Sequence, residues 1–228
     1  NRDEVAAWIK AQQHPDGYFK WNALGLSCLQ ATYHACALLK LLCASADSGG
    51  WDRPKLIEAL RSRQQPDQRR HFVLLGTDKN RPYSELGNAF MVIAALHALG
   101  ASVPDPAAAS AYITRKMTPA GTFKPGFVRS ALDYPESMLD YALGSLILLG
   151  DPLPHREKHL AALRRWQTED GGLWSWRDVH PEWWAEFSHK SVPGLPASDP
   201  VATLHALRAF ARLGDMSGFD LDACRARV

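Results

Sequence analysis

The chain has 228 residues, 46% of them apolar and 22% charged, with a formal net charge of +2. That length can bury a sizeable core and suits one domain better than two. The charge is too small to argue for nucleic acid as the main partner, and no apolar run approaches a membrane span. No signal-peptide pattern opens the sequence, although Asn1 is not an initiator methionine, so that absence carries little weight. Of the four cysteines, Cys28, Cys36 and Cys43 lie inside one apolar helical pattern, without the spacing of a zinc clip, and Cys224 stands alone near the end. Buried, reduced thiols are the expectation, and with them a cytoplasmic protein.

Taken in order, the chain alternates amphipathic and more apolar helical patterns. The pattern predicts a first helix over 2–12, with Val5, Ala6, Trp8 and Ile9 on its apolar side, ended by Pro15-Asp16-Gly17. A mostly apolar helix is predicted over 26–42; a helix apolar on most sides is expected to be buried on most sides. A short helix over 54–63 follows, then an apolar one over 84–99 that stops at Gly100. The third pair is predicted over 106–116 and 134–149, stopping at Gly150, and the fourth over 155–166 and 199–213, stopping at Gly214. The tail from Phe219 reads as the start of a further helix, with Asp220 as its N-cap.

Between the members of each pair stands the same short motif. Gln167-x-x-Asp170-Gly171-Gly172-x-Trp174 is its fullest copy. Gln13-x-x-Asp16-Gly17-Tyr18-Phe19 is close to it, Gln64-x-x-Asp67 ending in Phe72 is degraded, and Met117-x-x-Ala120-Gly121-Thr122-Phe123 has lost Gln and Asp. The copies begin 51, 53 and 50 residues apart, a fixed period that marks a repeat architecture. The repeats divide as 1–50, 51–101, 102–151 and 152–215 within one domain over 1–228, and 216–228 opens a further helix or tail. A Gln side chain carries donors and an acceptor for the orphan backbone groups at helix ends. Asp-Gly makes the tight turn, and the aromatic packs over it. The motif is therefore expected to be scaffold.

These residues resemble the repeats of terpenoid cyclases and protein prenyltransferase β subunits, the QW-type repeat. The resemblance implies an all-α fold, an α/α toroid in which inner helices ring an apolar cavity and outer helices surround them. It implies an isoprenoid substrate as the partner. Four hairpins are fewer than a full toroid of that family has. An open ring, a ring completed by further chain or by a partner, and a single four-hairpin ring all stay open, as do oligomeric and membrane-surface contacts.

In such a toroid, function lies where inner helices begin. Glu85, Asp133, Glu136 and Asp199 gather there. Acids at helix N-termini complement the dipole. A carboxylic acid kept protonated in an apolar cavity donates a proton to an alkene. Both readings stand for these four. Class II terpene cyclases carry Asp-x-Asp-Asp-Thr; Asp199-Pro200-Val201-Ala202-Thr203 is similar in its first Asp and its Thr, but Val201 stands where the family has its proton donor. The candidate acid is then Glu136 supported by Asp133, with Asp140 on the same helical face. Tyr134 beside them, His34 and His205 on inner helices, and Trp183, Trp184 and Phe187 in the aromatic loop after the last motif are candidates for substrate contact, the aromatics through their π faces. A lone His on an apolar helix is more often a satisfied core residue. Asp222-Ala223-Cys224 has the local spacing of the prenyltransferase zinc pair but no matching His, so no metal site is expected. No cofactor is expected either, Mg2+ entering only with a diphosphate substrate.

The leading expectation is a terpene-cyclase-like enzyme that protonates an isoprenoid held in an apolar helical cavity. The alternatives are a lipid- or partner-binding toroid without catalysis, or a fragment of a larger cyclase or prenyltransferase.

Overall fold

The computed structural model describes residues 1–20, 28–42, 50–64, 85–124, 135–168, 172–173, 200–217 and 219–225. The described residues form nine helices: α1 (Arg2–Ala11), α2 (Leu29–Leu41), α3 (Arg53–Arg61), α4 (Glu85–Ala98), α5 (Pro106–Arg115), α6 (Pro135–Leu149), α7 (Arg156–Arg165), α8 (Pro200–Leu213) and the short α9 (Leu221–Arg225). Helices α2, α4, α6 and α8 pack on one another in chain order, and α1, α3, α5 and α7 each pack outside the inner helix of their own repeat. This is the all-helical, double-layered architecture of an α/α toroid. None of the described helices is long and apolar enough to cross a membrane.

Neighbours decide how much of each inner helix is buried. Helices α4 and α6 lie in the middle of the row, and every residue of α4 from Leu86 to Ile93 is buried. Helix α2, at one end of the row, buries Leu29, Thr32, Ala35, Cys36 and Leu39 and leaves Leu38 and Leu41 exposed. The expectation that this segment is buried on most sides is therefore corrected. Its described helix neighbours are α4 in the inner row and α1 outside it, and the face that carries Leu38 and Leu41 stays open. Helix α8, at the other end, likewise exposes Val201 and Leu204. Cys36 is a buried free thiol, and burial pushes it up to about 12.

The inner helices stop where the glycines predict. Gly100, Gly150 and Gly214 have φ of +66°, +80° and +67°, the left-handed conformation that closes a helix. The following amides turn back to carbonyls six residues earlier counted inclusively: Ala101 N to Leu96 O (2.9 Å), Asp151 N to Leu146 O (3.0 Å) and Asp215 N to Phe210 O (3.4 Å).

The repeat motif is a clasp between successive repeats. Gln13 Nε2 donates to Asp52 O (3.0 Å) and Gln13 Oε1 accepts from Asp52 N (2.5 Å). Gln64 does the same to Asp105 (2.6 and 3.0 Å) and Gln167 to Asp220 (3.4 and 3.2 Å). Each of these Asp residues is the N-cap of the next outer helix, its Oδ1 accepting from Lys55 N, Ala108 N or Ala223 N. Where Met117 replaces Gln, the facing N-cap is His155, which makes no side-chain cap and sits at φ 55°. The two halves of the clasp are lost together. Within the motif, the chain folds back through single antiparallel bridges, Gln13–Phe19, Met117–Phe123 and Gln167–Leu173. In the fourth repeat Leu173 thus takes the place of Phe19 and Phe123, one residue before the expected Trp174, which lies outside the described residues. The amide of Phe19 donates to Thr32 Oγ1 (2.9 Å) and that of Leu173 to Thr203 Oγ1 (3.1 Å), so these threonines tie the motif to the inner helix that follows.

Candidate functional site

Phe90 of α4 and Tyr141 of α6 sit on adjacent inner helices and are stacked at 5.4 Å. Tyr33 of α2 meets Phe90 edge-on at 5.5 Å, and His205 of α8 meets Tyr141 edge-on at 5.1 Å. Four inner helices therefore contribute to one continuous ladder of rings, in the favourable offset and T-shaped geometries. His34 extends it beyond Tyr33 at 4.9 Å, on the exposed face of α2.

On the C-terminal side of the ladder lies a cavity of about 310 Å3, lined by Tyr33, Ala37 and Lys40 of α2, by Phe90, Ala94, His97 and Ala98 of α4, by Gly144, Ile147 and Leu148 of α6, and by Arg212. Its size is at the low end of small-molecule pockets, roughly 300–1,000 Å3, and its lining is mainly apolar, as theirs is.

On the N-terminal side lies a buried polar layer. Asn88, Glu136, Ser137 and Asp140 are all buried. Glu136, Asp140 and Gly144 form one four-residue row along α6. His205 Nδ1 lies 2.8 Å from Asp140 Oδ2; facing a carboxylate oxygen, it is the donor. Arg212 Nη1 lies 2.6 Å from Asp140 Oδ1 and donates to the Asp140 backbone carbonyl. The same guanidinium lies over the Phe90 ring, 5.0 Å from its centroid, within cation–π range. Burial pulls Arg212 below its ordinary value, with Asp140 opposing that shift. Gly144 makes the arrangement sterically feasible: a Cβ there would run into the Arg212 guanidinium and come within 2.7 Å of Phe90 Cε2.

The predicted site residues separate. Glu136 is fully buried at the start of α6, and His205 joins it in the same layer through Asp140. Glu85 faces outward instead: its Oε2 accepts from Tyr112 Oη (2.7 Å) and Lys116 Nζ (2.5 Å), both on or beside outer helix α5. That partnership ties α4 to α5, and burial with the Glu85 hydrogen bond pushes the Tyr112 hydroxyl up. Asp133, Tyr134, Trp183, Trp184, Phe187 and Asp199 lie outside the described residues. Sequence reasoning missed Tyr33, Phe90, Tyr141, Gly144 and Arg212. One signal was present: Gly144 stands inside a predicted helix, where Gly costs about 1 kcal/mol against Ala and calls for a packing reason. Among the described residues, no three His, Cys, Asp or Glu side chains converge to hold a metal ion.

Hairpin repeats, Gln clasps and an aromatic-lined inner row define an α/α toroid. The model of the prenyltransferase alpha-alpha toroid domain matches the chain twice, over residues 1–79 and 74–186. The chain belongs to this family. Membership points to isoprenoid-related binding or catalysis. No curated protein matches the chain in a sequence search.

Proposed function

We propose that the chain is a terpene-cyclase-like enzyme, holding an isoprenoid against the ring ladder and starting its cyclisation by protonation, with Glu136 as the acid. One observation carries the reading: a fully buried carboxyl on the inner helix whose next turns, at Asp140 and Gly144, lead to an apolar, aromatic-lined cavity. The chemistry balances without a further reagent. The Glu136 proton adds to one carbon of an alkene, whose π electrons form the new C–H bond, and the cation left on the other carbon is attacked by the next alkene of the chain. The faces of Tyr33, Phe90 and Tyr141 offer negative π density to that cation. Loss of a proton from the final cation closes the cycle as an isomerisation, and capture of water gives an alcohol. Asp133 and Asp199 remain proposed partners of the acid.

A binding role without catalysis is the second reading. The observation favouring it is the Arg212 guanidinium, which lies between the cavity and Glu136 along α6.

The test is to incubate the protein with prenyl diphosphates and with squalene-type polyenes and to analyse hydrocarbons and alcohols by mass spectrometry. Cyclised product from the wild type, reduced at least about a hundredfold in Glu136→Gln, is the expected result. No product with any substrate rejects the enzyme. Product retained in Glu136→Gln removes Glu136 from the role.

A further inference from the structure

The second and fourth repeats carry the same pair of arginines. Arg53 and Arg156 each follow the N-cap of an outer helix, and Arg61 and Arg164 stand eight residues further on. Both pairs brace the turn that ends the inner helix of their own repeat. Arg53 Nη2 donates to Leu99 O and Arg61 Nε to Ser102 O (3.1 Å). Arg156 Nε donates to Leu213 O (2.8 Å) and Arg164 Nε to Ser217 O (3.0 Å). The third repeat closes the turn at Gly150 with Pro106 and Thr114 in the places of the arginines, so the fold does not require the pair.

What the two pairs face differs by one residue. After the helix-ending Gly214 comes Asp215, whose Oδ2 lies 3.4 Å from Arg164 Nη2 and 3.6 Å from Arg156 Nη2. Hydrogen bonds from Ser217, and then the Arg164 and Arg156 charges, hold this carboxyl below its ordinary value. After Gly100 comes Ala101, which brings only a methyl group. Arg53 and Arg61 form no ion pair among the described residues, and Arg53 Nε is buried without a partner there. Beside them opens a pocket of about 430 Å3, lined by Arg53, Pro54, Ile57, Glu58 and Arg61. Glu58 shares this pocket and pairs with neither arginine, so positive charge is in surplus.

We propose that Arg53 and Arg61 form a binding site for a carboxylate from outside the chain, seated where Asp215 sits in the fourth repeat. The fourth repeat sets the chemistry: two arginines at the same spacing, tied to the same turn, take one carboxylate between them. A guanidinium fork matches the two oxygens of a carboxylate better than an ammonium does. Pro54 and Ile57 add an apolar wall for the carbon stem of the acid. The carboxylate comes from a small organic acid or from an acidic side chain of another protein. The site lies on outer helix α3, apart from the ring ladder, and does not depend on the isoprenoid reading.

NMR titration of the full chain tests this, reading the Ile57 methyl and the arginine Nε–H signals at an ionic strength held constant with chloride. The probes are acetate and the capped peptide acetyl-Asp-Met-Ser-amide, which copies residues 215–217; inorganic phosphate is the control. Saturable shifts at Ile57 and Arg61 with both carboxylates are expected. Tighter binding of the peptide assigns the ligand to a protein side chain, and equal binding assigns it to a small acid. Ala101→Asp gives the second repeat the carboxylate of the fourth while keeping both arginines, and is expected to weaken either probe at least about tenfold. Arg53→Gln with Arg61→Gln is expected to weaken them at least as much; where that variant loses its helical circular dichroism, Ala101→Asp alone decides. The absence of a saturable shift in the wild type, or wild-type binding in the folded variants, overturns the site. Saturation by phosphate and by neither carboxylate overturns the ligand class.

Discussion

Gly121 and Gly150 share a backbone conformation, φ +80° at both, but not their surroundings. A Cβ at Gly121 would stand 2.6 Å from Lys158 Cβ, 2.7 Å from Lys158 C and 2.8 Å from Lys158 O, the first turn of the next outer helix. A Cβ at Gly150 meets nothing within 4 Å. Alanine at either position carries the left-handed penalty of roughly 1–2 kcal/mol, offset at both by the stiffer unfolded chain, about 0.4–1 kcal/mol. Only Gly121→Ala adds overpacking against backbone, about 1–3 kcal/mol, because the obstructing atoms cannot swing aside as the end of a long side chain would. The expected cost is about 3 kcal/mol for Gly121→Ala and about 1 kcal/mol for Gly150→Ala. Urea denaturation with both variants measures the difference directly; in thermal melts it corresponds to about 2–4 °C for each kcal/mol at this chain length. Equal losses, within about 0.5 kcal/mol, would show that the motif glycine serves the turn alone and that the close seam with α7 is not a constraint.

Two further outcomes follow from the clasp and from the third seam. Gln64→Ala removes both hydrogen bonds to Asp105 and is expected to cost about 1 kcal/mol, more than Gln167→Ala, whose bonds to Asp220 are longer; parallel denaturation curves check the order. His159 is buried, with Nδ1 2.5 Å from Gly121 O and its ring stacked on Phe123. Burial holds it below its ordinary 6.5, against the pull of the Gly121 and Pro154 carbonyls. As pH falls through 6.5 the unfolded chain takes up a proton that the folded chain refuses, so stability falls. His159→Asn is expected to flatten that part of the stability-versus-pH curve, and an unchanged slope refutes the assignment.

Much of the architecture was legible because it is local. A leucine-glycine stop, an Asp-Gly turn and a four-residue apolar period each act through neighbours a few residues away, and the three stops and the helix order all stand as the pattern predicts. The role of the motif glutamine was legible in kind, as a partner for orphan backbone groups. Its actual partner was not, because the N-cap of the next helix lies 39 to 53 residues further on. The coupled loss of Gln and Asp at Met117 and His155 was visible in the letters and acquired meaning only from that contact. At the site, Glu136 was found by its position at an inner-helix start, a property of its own helix. Arg212 was passed over because an arginine in the last turn of a helix also suits the dipole, and nothing nearby in sequence says that it reaches a carboxylate on another helix.

The sequence by itself determined the repeat, the number and order of the hairpins and the family they belong to, since these follow from short-range periodicity and turn chemistry. Tertiary structure decided what each acid meets. Counted from Gly100 and Gly150, Glu85 opens α4 one position before the place that Glu136 takes in α6; Glu85 is held by Tyr112 and Lys116 of the outer layer and Glu136 is buried within. It alone also set a guanidinium from the last inner helix across the others, in a space that a missing methyl group on α6 left for it. Burial and charge pairing depend on what other helices bring, and the local pattern of one helix does not contain that information.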